Sequence, residues 1–206
     1  MTPGLTFYYD FGSPYSWLVA ERIAHALPHV VWQPVEQALV DDRPLWDNNR
    51  ALIEELAAEL NLLPPRWPRD TGELDRVIDG DEIEGVGTHT DPSTHVAMLT
   101  ATFAKSIGRA IAFSQATFRQ IYNAGRQVDD LDTLLLGAAA CEMHPRAIIK
   151  AIETKSTITN LEQACADARE AGVTALPALG SPDGVTTGVE LLDLAITDFV
   201  ELRPAD

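Results

Sequence analysis

A chain of 206 residues is sized for one domain, or one domain carrying an insertion, with ample length for a hydrophobic core. Its 46% hydrophobic content includes no apolar run long enough to span a bilayer, and a soluble globular protein is expected. The formal charge of -16 argues against nucleic acid and anionic membrane surfaces as partners and is read as a solubility feature. Met1-Thr2-Pro3-Gly4 leads into the first predicted strand without a basic, apolar leader, and a cytoplasmic location is expected.

The stretch Phe7-Tyr8-Tyr9-Asp10-Phe11-Gly12-Ser13-Pro14-Tyr15-Ser16-Trp17 predicts a strand, a sharp turn and a helix in immediate succession. Phe7, Tyr8 and Tyr9 favour extended backbone, and Gly12 suits the turn. Ser13 fits the N-cap position, and Pro14 fits the first helical position, where its missing N–H costs nothing. Trp17, Leu18, Ala20, Ile23, Ala24 and Leu27 then recur at helical spacing. Ser13 therefore has two readings. It caps the helix, or it also faces an anion such as a thiolate held by helix-terminal N–H groups and the helix dipole. Ser16, one turn on, either faces the core or bonds back to the chain.

Val30 to Val35 predicts a second strand, with Pro34 near an edge or bulge, and completes a parallel βαβ unit. From about Pro44 to Glu153 the periodic segments are helical. They are Asn49 to Leu60, Ser93 to Ile107, Ala112 to Asn123, a helix capped by Asp129-Asp130, and another opened by Pro145. The polar stretch Trp67 to His89 is either a lid or a plain connection, with Trp67 as its one large apolar anchor. Leu161 to Ala171 predicts a helix stopped by Gly172. Val173 to Gly180 and Val185 to Val189 then form a hairpin around Pro182-Asp183-Gly184, and Leu191 to Val200 a last helix. The expected fold is an α/β sheet domain built from residues 1–43 and 154–206, interrupted by an all-helical insertion over 44–153.

Cys141 and Cys165 sit among small residues inside helical patterns and read as packed core thiols. The histidines at 25, 29, 89, 95 and 144 are scattered, and no metal site is expected.

Ser-Pro-Tyr-Ser-Trp at one end, with Gly172-Val173-Thr174-Ala175-Leu176-Pro177 at the other, resembles the DsbA-like branch of thioredoxin-fold proteins. Within it the chain is most similar to 2-hydroxychromene-2-carboxylate isomerases and kappa-class glutathione transferases, whose opening motif is matched from Phe7 to Trp17. The resemblance implies a thioredoxin-like fold in which Ser13 and Ser16 occupy the two positions of a Cys-x-x-Cys pair. It implies Ser13 as the catalytic group holding a thiol sulfur, and a cis Leu176–Pro177 bond whose backbone pairs with that thiol's peptide. Tyr15, Ser16, Leu176, Pro177 and Glu190 are the implied cofactor-binding residues, with glutathione or another low-molecular-weight thiol as cofactor. One segment departs from the family pattern. Where a Gly-x-Asp-Arg run usually holds the γ-glutamyl end, this chain has Gly188-Val189-Glu190-Leu191; Glu190 can replace the acid, but the arginine has no counterpart.

The implied activity is a thiol-dependent isomerisation or transfer on an electrophilic aromatic small molecule, with Tyr15, Trp17, Trp46 and Trp67 as candidate aromatic walls and a homodimer as the implied assembly. Two alternatives stand beside it: a non-catalytic thioredoxin-like binding protein, and a DsbA-family disulfide oxidoreductase. The last has no Cys-x-x-Cys, and serine cannot form the mixed disulfide that exchange requires.

Overall fold

Alternation along Thr6-Phe7-Tyr8-Tyr9 sets the two faces of the sheet. Phe7 and Tyr9 are fully buried, while Thr6 and Tyr8 are half-buried on the other side. The structure, a computed structural model, describes residues 4–40, 49–67 and 93–202. Strand β1 (Thr6–Tyr9) runs into helix α1 (Pro14–Ala26), and β2 (Val31–Pro34) returns parallel to β1, with Phe7 opposite Trp32 and Tyr9 opposite Pro34. Strand β3 (Ala178–Ser181) is antiparallel to β1, and β4 (Gly184–Thr187) is antiparallel to β3, giving the order β2-β1-β3-β4. This is a mixed thioredoxin-like sheet.

Between β2 and β3 the described residues are helical apart from connections. The helices are α2 (Arg50–Glu59), α3 (His95–Ser106), α4 (Ala110–Phe118), α5 (Leu131–Ala139), α6 (Pro145–Ile152) and α7 (Lys155–Glu170). Helix α8 (Gly188–Ile196) follows β4. Asn49 caps α2 by accepting from the Leu52 N–H at 3.2 Å, and Asp130 caps α5 by accepting from the Asp132 N–H at 3.0 Å. The fold is the α/β sheet with a helical insertion that the sequence predicts.

The core is aromatic where the sheet meets the insertion. Tyr9 packs against Phe7, Phe11, Trp32 and Phe118 with ring centroids 5.5 to 5.8 Å apart, and Phe11 lies edge-on to Phe118 at 4.9 Å. The buried Tyr9 hydroxyl shares a hydrogen bond with Ser114 Oγ on α4, which satisfies the polar end of an otherwise apolar ring. On the other face the Tyr8 ring closes over Gly180, where a Cβ would sit 3.0 Å from the ring edge.

Several boundaries differ from the sequence pattern. Helix α7 begins at Lys155 rather than Leu161, because Thr157 takes the first inward position and breaks the apolar signal. The strand expected from Val173 begins only at Ala178; Pro177 has no N–H to give a ladder. β4 ends at Thr187, and α8 starts at Gly188, whose φ of +62° favours glycine. Val189, Glu190 and Leu191 thus form the first turn of a helix rather than the end of a strand. Helix α4 continues into a π-helical turn, Arg119–Asn123, that the pattern did not distinguish from α-helix. Trp46, His89 and the polar stretch after Trp67 lie outside the described residues.

Helices α4 and α5 meet at Gly137, where an added Cβ would lie 2.6 Å from Thr117 Oγ1 and 3.3 Å from its backbone nitrogen. The obstacle is a stiff β-branched side chain and backbone, so it cannot swing aside. Gly137→Ala is expected to destabilise the protein by about 1–3 kcal/mol despite the better helix propensity of alanine. Urea denaturation checks this, and a variant as stable as the parent would show that the two helices separate freely.

Candidate active site at the β1–α1 junction

Strand direction brings the predicted pieces to one end of the sheet. β1 ends there at Tyr9; β3 begins there, with Ala178 opposite Tyr8; and β4 ends there, with Thr187 opposite Ala178. The turn carrying Ser13, the Leu176–Pro177 peptide and the start of α8 are therefore neighbours along a single sheet edge. The Leu176–Pro177 bond is cis.

Ser13 is the N-cap of α1, with extended backbone (φ -91°, ψ 111°), and Pro14 is the first helical residue. Its Oγ accepts from the Ser16 N–H at 3.2 Å, and its carbonyl accepts from the Trp17 N–H at 3.3 Å. Fewer amides thus point outward than the spacing alone implied, since Pro14 has none and those of Ser16 and Trp17 go to Ser13 itself. The Ser13 hydroxyl hydrogen is different: among the described residues it meets no acceptor, although the residue is only 2% exposed. Ser16 is fully buried, and its Oγ accepts a long bond, 3.5 Å, from the Asp10 N–H. It belongs to the underside of the turn. Tyr15 is half-buried against the core, and Leu176 and Pro177 are buried beside the turn. Glu190 is exposed in the first turn of α8, at the same sheet end, where an acidic side chain suits the helix dipole.

The turn itself is held by a residue that sequence analysis quoted but gave no role. Asp10 is fully buried. Its Oδ1 accepts from the Gly12 N–H at 2.8 Å, and its Oδ2 accepts from the Gln37 N–H at 2.8 Å and the Thr94 hydroxyl at 3.0 Å. One carboxylate therefore fastens the turn to the segment after β2 and to the residue preceding α3. Burial pushes the Asp10 carboxyl up to about 6, against the opposing pull of those three hydrogen bonds. A second brace comes from the π-helical turn, where Tyr122 donates to the Phe11 carbonyl at 3.0 Å and stacks on Trp17 at 5.2 Å. Trp67 lies edge-on to Tyr122 at 6.5 Å and donates its indole N–H to Glu54 at 2.9 Å, so it docks on this scaffold. The Asp preceding the turn residues was the available signal for Asp10; its partners at 37 and 94 are distant in sequence and carried none.

Both cysteines are buried and unpaired, and neither lies at the β1–α1 junction. Cys165 Sγ accepts from the Glu36 N–H at 3.3 Å. Burial raises the thiol pKa of both, most strongly opposing thiolate formation, so neither has the profile of a reactive cysteine. Among the described residues no cluster of three or more His, Cys, Asp or Glu could hold a metal, and no helix is long and apolar enough to cross a membrane.

The sequence matches no family model and no curated protein. Solved structures do match. The chain is similar to a 2-hydroxychromene-2-carboxylate isomerase at 14% identity, with a TM-score of 0.73 over 96% of this chain and 95% of the other. It is also similar to a probable DsbA oxidoreductase from Streptomyces coelicolor, at 15% identity and a TM-score of 0.67 over 98% and 92%. A third is the cytosolic disulfide reductase DsbM from Pseudomonas aeruginosa with GSH, at 14% identity and a TM-score of 0.59 over 96% and 97%. At these identities the likeness shows the fold alone, a thioredoxin-like sheet carrying a helical insertion.

Asp10 also sets a pH dependence. Its folded pKa lies above the ordinary carboxylate value of 3.8, so between about pH 4 and 6 the folded chain keeps a proton that the unfolded chain has released. This group's contribution to stability is therefore largest below that window and falls as pH rises through it, by on the order of 3 kcal/mol, then stays level above it. Asp10→Asn should flatten that part of the stability–pH curve; an identical slope in parent and variant would show that Asp10 titrates normally.

Proposed function

We propose that the sheet end bearing Ser13 binds a low-molecular-weight thiol as its thiolate and does not exchange disulfides. The carrying observation is the Ser13 hydroxyl: a buried donor at a helix N-cap, with its acceptor side committed to Ser16 and its hydrogen without an acceptor among the described residues. A thiolate sulfur supplies the missing acceptor, and the positive end of α1 favours its charge. The Leu176–Pro177 backbone at the same sheet edge offers strand-like pairing to an extended thiol peptide such as glutathione. Disulfide exchange has no nucleophile here, because serines fill both positions of the dithiol motif and the two cysteines are buried elsewhere.

In this reading the chain is first a thiol-binding protein of the thioredoxin fold. A catalytic extension is favoured by the match, over almost its whole length, to a 2-hydroxychromene-2-carboxylate isomerase. The bound thiolate adds to the electron-poor carbon of an aromatic enone, forming a C–S bond while the double-bond electrons move onto the carbonyl oxygen. Rotation about the resulting single bond and reversal of the electron flow expel the thiolate and leave the other geometric isomer. In the transferase form, protonation of the enolate releases the thioether. The Ser13 hydroxyl stabilises the sulfur anion before addition and again as it leaves.

Calorimetric titration with glutathione tests the binding step. Saturable binding is expected, weakened on the order of tenfold or more in Ser13→Ala, the loss of a hydrogen bond to a charged group. Ser13→Gly separates the two roles of the residue, since glycine nearly preserves the N-cap but has no hydroxyl. Equal affinity in parent and Ser13→Gly would remove the hydroxyl from thiol recognition. Binding without turnover of any aromatic enone would leave the protein as a non-catalytic binder.

A further inference from the structure

A second concave site lies away from the β1–α1 junction, where α3, α6 and α7 converge. It is a cavity of about 410 Å³ whose lining includes Phe103 from α3, Lys150 from α6, and Ser156, Thr157 and Asn160 from α7. Its volume falls in the range of small-molecule sites. Three features of its floor converge on one chemistry. Helix α7 spans 16 residues, and Thr154 at its N-cap makes no capping bond; the Thr154 hydroxyl donates instead to the Lys150 carbonyl at 2.7 Å. The amides of Lys155 and Ser156 accordingly meet no acceptor among the described residues, at the positive end of a long helix. Thr157 lines the cavity and is more than nine-tenths buried, at 7% exposed, and its hydroxyl has no hydrogen-bond partner among the described residues. Lys150 adds an ammonium group that makes no ion pair among the described residues, on a chain whose overall charge is -16.

We propose that this cavity binds the phosphate group of a small phosphate monoester whose organic part lies along Phe103. The Ser156 amide, the hydroxyls of Ser156 and Thr157, and the Lys150 ammonium supply donors and positive charge with no competing carboxylate among the lining residues; the nearest acid in sequence is Glu153, exposed at the end of α6. The half-buried Phe103 ring and the adjoining alanines of α6 provide an apolar wall for a ring or short chain. The proposal is independent of the reading of Ser13.

The test is an NMR titration of the full chain, labelled with nitrogen-15, using phenyl phosphate, inorganic phosphate and benzoate. Saturable shifts are expected at the Lys155, Ser156 and Thr157 amides with phenyl phosphate, with inorganic phosphate binding more weakly at the same amides. Lys150→Glu should weaken phenyl phosphate about tenfold or more, and the near-isosteric Thr157→Val several-fold while leaving the spectrum otherwise that of a folded chain. Benzoate binding as tightly as phenyl phosphate would overturn the phosphate assignment. Lack of saturable shifts at these amides, or unchanged affinity in Lys150→Glu, would overturn the site.

Discussion

One buried carboxylate holds the functional end of this molecule together. Asp10 reaches the turn through Gly12, the segment after β2 through Gln37, and the approach to α3 through Thr94. Three segments far apart in sequence thus share a single anchor. Burying an ionised carboxylate is costly, and its upward pKa displacement is the visible trace of that cost. The hydrogen bonds offset it in the ionised state, so the position of Ser13 relative to the rest of the sheet depends on a group whose charge is itself under tension. Removing any one donor would leave part of that carboxylate unsatisfied in the core.

Around this anchor, aromatic packing supplies stiffness. Trp17, Tyr122 and Phe118 stack in sequence, and Tyr9 and Phe11 join them from the sheet side. The π-helical turn matters here because it brings the Tyr122 hydroxyl onto the Phe11 carbonyl, within the turn that leads to Ser13. The helical insertion is therefore a structural support of the thioredoxin-like sheet end: it contributes Thr94, Ser114, Phe118 and Tyr122 to residues that precede α1.

Serines stand at positions 13 and 16 of the β1–α1 junction, and neither cysteine of the chain lies there. Ser13 caps α1 by accepting from the Ser16 N–H, and its hydroxyl hydrogen meets no acceptor among the described residues. The two remaining cysteines act as small buried apolar groups, one of them accepting a backbone hydrogen bond. The proposed thiol site uses the capped start of α1, whereas the cavity between α3, α6 and α7 lies at the start of α7, where Thr154 makes no side-chain cap.

Local order was legible in the residues themselves. Strand β1, the Ser13 cap, Pro14 at the first helical position, the cap at Asp130 and the stop at Gly172 all follow from preferences that act within four or five residues. The resemblance of the Gly172–Pro177 segment likewise implied the cis Leu176–Pro177 bond that the structure has. Three things were decided only by the tertiary structure. Asp10 became an anchor because Gln37 and Thr94 arrive from 27 and 84 positions away. The first turn of α7 escaped the apolar pattern because Thr157 occupies an inward position without apolar character. Glu190 became the exposed start of a helix because the turn at Gly188 ends β4 early. Periodicity and capping are short-range and are written into neighbouring residues; a buried hydrogen-bond network and a cavity between helices exist only once distant segments have packed.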